Sequence, residues 1–419
     1  MKRKNKTKSR TLNPSSFVAG RYFRSKKKRN FITVLSVISM TGVAVGTIAL
    51  VVVMSVFNGL EDLIRSLFAS FDAELKIEPA RGKSFVAPRE WLAEIERIEG
   101  VAILTEVIED NVLYEHNDNQ IVAKIKGVSD NFLDQGRFSN GYFWGDTTLG
   151  TDLRPGAILG RGVGFFLSIH LNEPNSTLKV FYPKAPRSAG SIDPSQLYTS
   201  AQLEPRAFFS IEQQFDDGYV IAPLQFTRDL LNYGEKRTAL EIKVKEGSSI
   251  AQVQQRLKDH LGSDFLVKNA DEQHAGLIRT VKLEKLFVFL TLTFILAIAS
   301  FNIFFSLSML AIEKKKDIAV LKAMGARDKM IRWIFLKQGA MIALSGAVIG
   351  LVVGYLIVLA QETFGLVSLG ISSAVVDAYP VRIVWIDFIW ISISIIAITL
   401  LASWRPASIA SQVDTVRDL

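Results

Sequence analysis

IEKKKDIAVLKAMGA, residues 312–326, decides how this chain is read. It is a short charged helix set between two long apolar runs. The segment is too charged to enter lipid, and its neighbours are too apolar to stay out of it. It therefore lies at a membrane surface, tied on both sides to spanning helices, a construction suited to passing a push from a soluble partner into a membrane. Ile318, Leu321 and Met324 recur every third residue among the charges, which makes one apolar edge, and Gly325 ends the helix. Two readings fit: an ordinary turn that marks topology, or an amphipathic helix whose apolar edge faces outward to dock another protein.

On either side, four stretches are almost free of charge: 31–57, 286–312, 338–360 and 383–404. Crossing a hydrocarbon core takes roughly 20 residues, so each is read as a span. The first two are the longest and should tilt or project beyond the core. Only Asp387 interrupts the fourth, near one end, where an acid costs less than at mid-depth. The first run has the basic prelude of a signal peptide, but its apolar core is too long and no A-x-A-like site closes it. It is read as a retained anchor.

The 419 residues carry a net charge of +8, and its placement matters more than its size. Twelve Lys/Arg and no acid fall within residues 1–30, read as a basic N-terminus with an amphipathic helix. Basic flanks stay cytoplasmic. The same rule puts segment 313–337, with Lys314, Lys315, Lys316, Lys322, Arg327, Lys329, Arg332 and Lys337, on that side. Four spans then leave both termini (1–30 and 405–419) in the cytoplasm, and segments 58–285 and 361–382 across the membrane. A basic arm directly before a span serves topology and anionic lipid rather than nucleic acid. Cysteine is absent, so the chain forms no disulfides, and compartment cannot be read from thiols.

Segment 58–285 alternates apolar and polar residues with turn signals, as a folded mixed domain does. A strand–helix–strand unit is expected over about 73–110 (AELKIE, PREWLAEIERI, then 101–108) and a second over about 238–268 (TALEIKVK, SIAQVQQRLKDHL, then 264–267). Together they suggest one membrane-proximal α/β subdomain, with a β-rich subdomain of about 111–237 inserted. YEHNDNQ (114–120) reads as a hairpin, and Asp216-Asp217-Gly218 precedes another strand. Residues 182–206, rich in Pro, Ser and Gly, read as a long exposed loop.

Enzyme signatures are missing. No G-x-x-x-x-G-K-[ST] phosphate loop and no G-x-S-x-G elbow occur. His116, His170, His260 and His274 are scattered without metal-ligand spacing. Gly160-Arg161-Gly162-Val163-Gly164 reads as a turn into a helix. No catalytic residue and no metal are expected. In the spans, Gly346, Gly350 and Gly354 share one helical face, suited either to packing within the chain or to a dimer seam. Phe287, Phe294 and Phe301 recur every seven residues, with Phe304 and Phe305 beyond, on a face that meets lipid or lines a cavity. Asn302 sits mid-span and is expected to hydrogen-bond a neighbouring helix.

These residues resemble a known family, the LolC/LolE-type lipoprotein-releasing permeases within the MacB/FtsX-like permease superfamily. The likeness rests on FVAGRY (17–22), SVISMTGVAVGTIALVVVMSVFNG (36–59), FNI (301–303), EKKKDIAVLKAMGA (313–326), FLKQGAMIALSGAVIGLVVG (335–354), YPVR (379–382) and WRPASIA (404–410). It implies an α-helical membrane protein with four transmembrane helices and a large α+β periplasmic domain between the first and second. It implies an inner-membrane ABC transporter permease subunit that moves acylated lipoproteins, paired with a separate LolD-like ATPase dimer that holds ATP and Mg. It further implies a second permease copy or paralogue and a LolA-like carrier. By position, Glu313, Lys315, Lys316, Ile318, Leu321, Lys322, Met324 and Gly325 match the family's coupling helix. Val53, Met54, Phe57, Phe294, Phe301 and Phe305 match a cavity for acyl chains, and the 182–206 loop falls where one family member contacts the carrier.

Other classes with similar architecture stay open: a mechanotransmission protein that regulates cell-wall enzymes, an efflux permease for peptides or drugs, and a membrane anchor without transport. The large domain weighs against the first, and the lack of a fused ATPase against the second.

Overall fold

The computed structural model describes residues 14–24, 31–137, 143–151, 153–171, 173, 176–184, 197–368 and 378–412. In chain order its helices and strands begin with α1 (Pro14–Arg24), α2 (Phe31–Phe71), β1 (Leu75–Pro79), β2 (Phe85–Val86), α3 (Arg89–Glu96), β3 (Val101–His116) and β4 (Asn119–Val128). There follow β5 (Phe143–Gly145), β6 (Gly150–Thr151), β7 (Arg154–Gly160), α4 (Arg161–Phe166), β8 (Leu178–Pro183), β9 (Tyr198–Phe209), α5 (Gln213–Asp216), β10 (Tyr219–Pro223) and α6 (Leu224–Leu231). The rest are β11 (Lys236–Arg237), β12 (Ala239–Val244), α7 (Ile250–Leu261), β13 (Phe265–Asn269), α8 (Ala270–Gln273), α9 (Ala275–Glu313), α10 (Lys315–Ala323), α11 (Asp328–Phe364) and α12 (Trp385–Ser411). Two units divide the chain: Met1–Asp62 with Arg279–Leu419, and Leu63–Ile278.

In the first unit, α2, α9, α11 and α12 are the helices among the described residues that are long and apolar enough to cross a membrane. Each outruns its apolar stretch. Past residue 57, Leu60, Leu63, Ile64, Leu67, Phe68 and Phe71 keep the helical period while Glu61, Asp62 and Arg65 take other faces, so α2 continues to Phe71. For the same reason Lys329, Arg332 and Lys337 are not loop residues. They lie on α11, whose Ile331, Ile334 and Phe335 are buried. Residues 405–411 of the expected tail belong to α12, where Ile391, Ile395, Thr399, Ser403 and Ala407 form the buried face. In α1, Ala19 is buried and Ser15 Oγ accepts a hydrogen bond from Lys337 Nζ at 2.7 Å.

In the second unit the two strand–helix–strand segments interlock rather than lie side by side. The sheet order is β13–β1–β12–β3–β4–β10–β7–β9–β5, so β12 runs between β1 and β3, and β1 between β12 and β13. Strand alternation turns Leu75, Ile77, Leu240 and Ile242 toward α3 and α7, where Ile95, Val253 and Leu257 complete a core. The helix spacing of Ile250, Val253, Leu257 and Leu261 places one face of α7 there.

β3 is longer than the 101–108 expected from its sequence and serves both subdomains. It pairs β12 from Val101 to Val107 and β4 from Val107 to His116. β8 pairs both β3 and β9, which closes β3, β4, β10, β7, β9 and β8 into a ring. Ile108, Val112, Ile125, Leu159, Val180 and Val220 belong to the core of this ring, with Val163 and Leu231 from α4 and α6. The β3–β4 turn is Asn117-Asp118, and Asn117 takes φ +53°, a conformation Asn tolerates. Gly160 leads β7 into α4, a turn into a helix. The 182–206 segment is only partly loop. Pro183 pairs Tyr198, and residues 198–206 are strand because Leu203 and Ala207 alternate inward. Its middle, 185–196, lies outside the described residues.

The sheet face away from α3 and α7 holds a buried charge cluster. Lys126 Nζ lies 2.8 Å from Glu241 and stacks over Phe71, whose centroid is 4.5 Å away. Arg137 pairs Glu241 and donates to the Phe71 carbonyl at the end of α2 (2.7 Å). Burial pushes the Glu241 carboxyl up, but Arg137 and Lys126 outweigh it and hold it at about 2. Burial pulls the nearby Lys76 ammonium down, but Glu109, Glu78 and Glu241 outweigh it and raise it above its ordinary value.

Candidate functional site

The charged segment folds as α10, and its orientation reverses one expectation. Glu313 closes α9 rather than opening α10. Ile318 is 1 % exposed, and Leu321 packs against the same bundle core. The three-residue spacing set a face but not its direction, and that face turns into the bundle. The outward surface of the segment is Glu313, Lys315, Lys316, Val320 and Met324, the last 79 % exposed. Lys322 is not on it. Its Nζ donates to the Ser411 carbonyl (2.8 Å) and pairs with Asp328 (2.8 Å), pinning α10 to the ends of α12 and α11. Gly325, at φ +91°, supplies the left-handed turn after α10 that a side chain would strain.

The glycine face of α11 is used within the chain. A Cβ on Gly346 would lie 2.5 Å from the Met40 carbonyl oxygen, one on Gly350 2.5 Å from Thr47 Cβ, and one on Gly354 2.9 Å from Val51 Cβ. All three neighbours are on α2, so small residues let the two backbones approach. α9 meets α2 similarly: Gly42 faces Ala299, Gly46 faces Leu296, and the hydroxyls of Ser36 and Ser306 are 2.9 Å apart. Asn302 does not meet its expectation. It is half-buried, and its side chain has no hydrogen-bond partner among the described residues.

The expected cavity residues differ in exposure. α9 turns Leu296, Ile303, Leu307 and Leu310 inward, so Phe294, Phe301 and Phe305 point outward, 57–67 % exposed. Met54 is 6 % exposed and packs in the bundle core, while Val53 and Phe57 are half-buried. A seven-residue repeat marks one stripe of α9, and nothing in it could separate Met54 from its neighbours.

A polar cluster that the sequence reading left apart joins three of the long helices. Asn58 of α2 donates through Nδ2 to Asp387 Oδ2 of α12 (2.7 Å). Lys285 of α9 donates through Nζ to Asn58 Oδ1 (2.6 Å) and lies 3.4 Å from Asp387. Asp387 is in the first turn of α12, where the helix dipole favours an acid. Beside the cluster, the Arg382 backbone N–H donates to the Ser55 carbonyl (2.9 Å), and the Arg382 side chain pairs with Asp62. The signal was present in the sequence as two polar residues and one acid at the margins of three apolar runs.

Four long apolar helices, with a folded domain between the first two, define a polytopic membrane protein. A family model described as the MacB-like periplasmic core domain matches residues 36–260, and one described as the FtsX-like permease C-terminal matches 289–414. The chain belongs to the MacB-like periplasmic core family: it is an ABC-type membrane permease with four transmembrane helices and a large α+β periplasmic domain after the first. The lipoprotein-releasing system transmembrane protein LolE of Haemophilus influenzae is 22 % identical over 97 % of this chain and 99 % of that protein. The LolC proteins of Neisseria meningitidis and Xylella fastidiosa are 26 % and 22 % identical, over 82 % and 97 % of this chain and 81 % and 99 % of theirs. Among solved structures, the periplasmic region of MacB from Actinobacillus actinomycetemcomitans gives a TM-score of 0.33 at 12 % identity, covering 48 % of this chain and 91 % of that one.

Proposed function

We propose that this chain is the permease subunit of an ABC transporter that extracts lipoproteins from the inner membrane and releases them toward the outer membrane. A separate cytoplasmic ATPase dimer, which binds ATP and Mg, drives it. The observation that carries this reading is α10: Lys315, Lys316, Val320 and Met324 present a mixed basic and apolar surface, while Ile318, Leu321 and Lys322 fasten the helix to the bundle. A push on such a helix moves the bundle rather than a loose loop. The likeness to LolE and LolC over most of the chain supports lipoproteins as the substrate.

In this reading both termini face the cytoplasm, and the large domain faces the periplasm. A second permease copy or paralogue faces the first, and acyl chains lie along Val53, Phe57, Phe294, Phe301 and Phe305. Leaving lipid costs about 0.8 kcal/mol per buried CH₂, so an acylated protein does not depart unaided. ATPase closure shifts α10, then α2 and α9, and expels the chains toward a periplasmic carrier. The test is depletion of the chain followed by complementation. Wild type should restore lipoprotein release, whereas Lys315→Glu/Lys316→Glu should insert normally yet leave lipoproteins in the inner membrane. Normal release by that variant would remove the docking role.

A further inference from the structure

The contacts between α2 and α9 differ along their length. At one end stand Asn58, Lys285 and Asp387, three polar side chains in mutual contact across α2, α9 and α12. Gly59 adds backbone contact there with Pro380, and Arg382 adds its bond to Ser55 and its pair with Asp62. Further along, the α2–α9 contact is uncharged: Gly42 faces Ala299, Leu296 seats in the notch left by Gly46, and the contact ends at a neutral hydroxyl pair, Ser36 with Ser306. Charge-assisted bonds hold a fixed geometry and are expensive to leave unmade, whereas parting an uncharged contact costs at most one neutral hydrogen bond and some apolar packing. A partly buried ionic cluster among apolar helices is suited to setting register.

We infer that the Asn58–Lys285–Asp387 cluster is the pivot of the bundle: the ends of α2, α9 and α12 stay joined there while the glycine-lined contact between α2 and α9 opens and closes. The three residues are positioning residues for transport. The inference rests on the proposed reading for an ATPase that moves α2 and α9 and for lipoprotein release as one of its two readouts.

The chain has no cysteine of its own, so introduced pairs are unambiguous. In the full chain, in membranes with its ATPase, Asn58→Cys/Asp387→Cys removes the cluster, and a disulfide or a short bis-thiosulfonate bridge replaces it covalently. With the pair reduced, lipoprotein release should fall severalfold; bridging should restore it, because a pivot does not need to open. Gly42→Cys/Ala299→Cys, whose Cβ atoms would lie 3.6 Å apart, suits a disulfide. Bridging that pair should stop release, and reductant should restore it. Failure of the 58/387 pair to cross-link, further loss of release on bridging it, or full release from the bridged 42/299 pair would each overturn the pivot.

A readout that does not depend on the substrate separates this inference from the proposed function. Cross-linking of 58/387 should proceed at the same rate with and without nucleotide, while that of 42/299 should change with it. A nucleotide-dependent rate at 58/387 would overturn the pivot even if lipoproteins prove not to be the cargo. Absence of lipoprotein release by the wild-type chain, with these rates as expected, would instead overturn only the substrate.

Discussion

Gly59 and Pro380 meet backbone to backbone: a Cβ on Gly59 would collide with the Pro380 carbonyl and the Val381 Cα. No side chain can rotate away to make room, so the chain entering α12 must move. Gly59→Ala is expected to cost about 1–3 kcal/mol. Gly276→Ala, where a Cβ meets nothing within 4 Å, should be neutral or stabilise by about 0.5–1 kcal/mol. Thermal melting of the two full-length variants in one detergent compares them, and equal melting would contradict the close approach.

Gly350 tests whether the glycine face is internal. Its neighbours are Thr47 and Ala44 of α2. Gly350→Leu should therefore lower the melting temperature of the single chain at every protein concentration, by overpacking worth about 1–3 kcal/mol or more. A dimer seam would instead change the oligomeric state measured by light scattering and leave the monomer's melting alone.

Ile318 and Val320 sit two residues apart and face opposite ways. Ile318→Ala should destabilise by about 2–5 kcal/mol, the usual range for emptying a packed aliphatic site. Val320→Ala should change stability by less than about 0.5 kcal/mol but weaken co-purification of the ATPase. The reverse pattern would mean that the apolar edge of α10 points outward after all.

Glu241, ion-paired in the fold with Lys126 and Arg137, should make the periplasmic domain sensitive to acid. Its carboxyl is held at about 2 in the fold, against an ordinary 4.5. A carboxylate depressed by folding contributes fully above its unfolded value and loses that contribution as pH falls through the folded one. The melting temperature should therefore be flat, as far as this residue acts, from neutral pH to about 5, and drop between about 4.5 and 2, with a total on the order of 3 kcal/mol. Glu241→Gln should be destabilised at pH 7 and show a shallower acid limb, measured by melting across a pH series. An unchanged acid limb would show that the cluster does not carry it.

Much of the architecture was legible because its causes are local. Spans announce themselves by uninterrupted apolar length, and the alternation around Leu75, Ile77, Leu240 and Ile242 marks strands wherever they pair. Features that depend on direction or on distant partners were not legible. The period of Ile318 and Leu321 defines a stripe whichever way it points, and only packing against the bundle says inward. Phe294, Phe301 and Phe305 form a stripe for the same reason, while Met54, one residue from Val53, is turned into the core. Apolar composition marks a span over 31–57 but not the end of the helix, because backbone hydrogen bonding and the amphipathic period of Leu60 to Phe71 carry α2 on to Phe71. Asn58, Lys285 and Asp387 are 102 to 329 residues apart along the chain, and each alone is a polar residue at the margin of a span with no sign of its partners.

Contact between α10 and the ATPase can be measured directly. Met324→Cys and Ile318→Cys, placed singly in the cysteine-free chain, would be cross-linked in membranes with a short thiol-reactive photo-probe. An ATP-sensitive adduct with the nucleotide-binding subunit is expected from position 324 and none from position 318, which faces the bundle. No adduct from position 324, or modification of that position only by reagents applied from the periplasmic side, would contradict that contact.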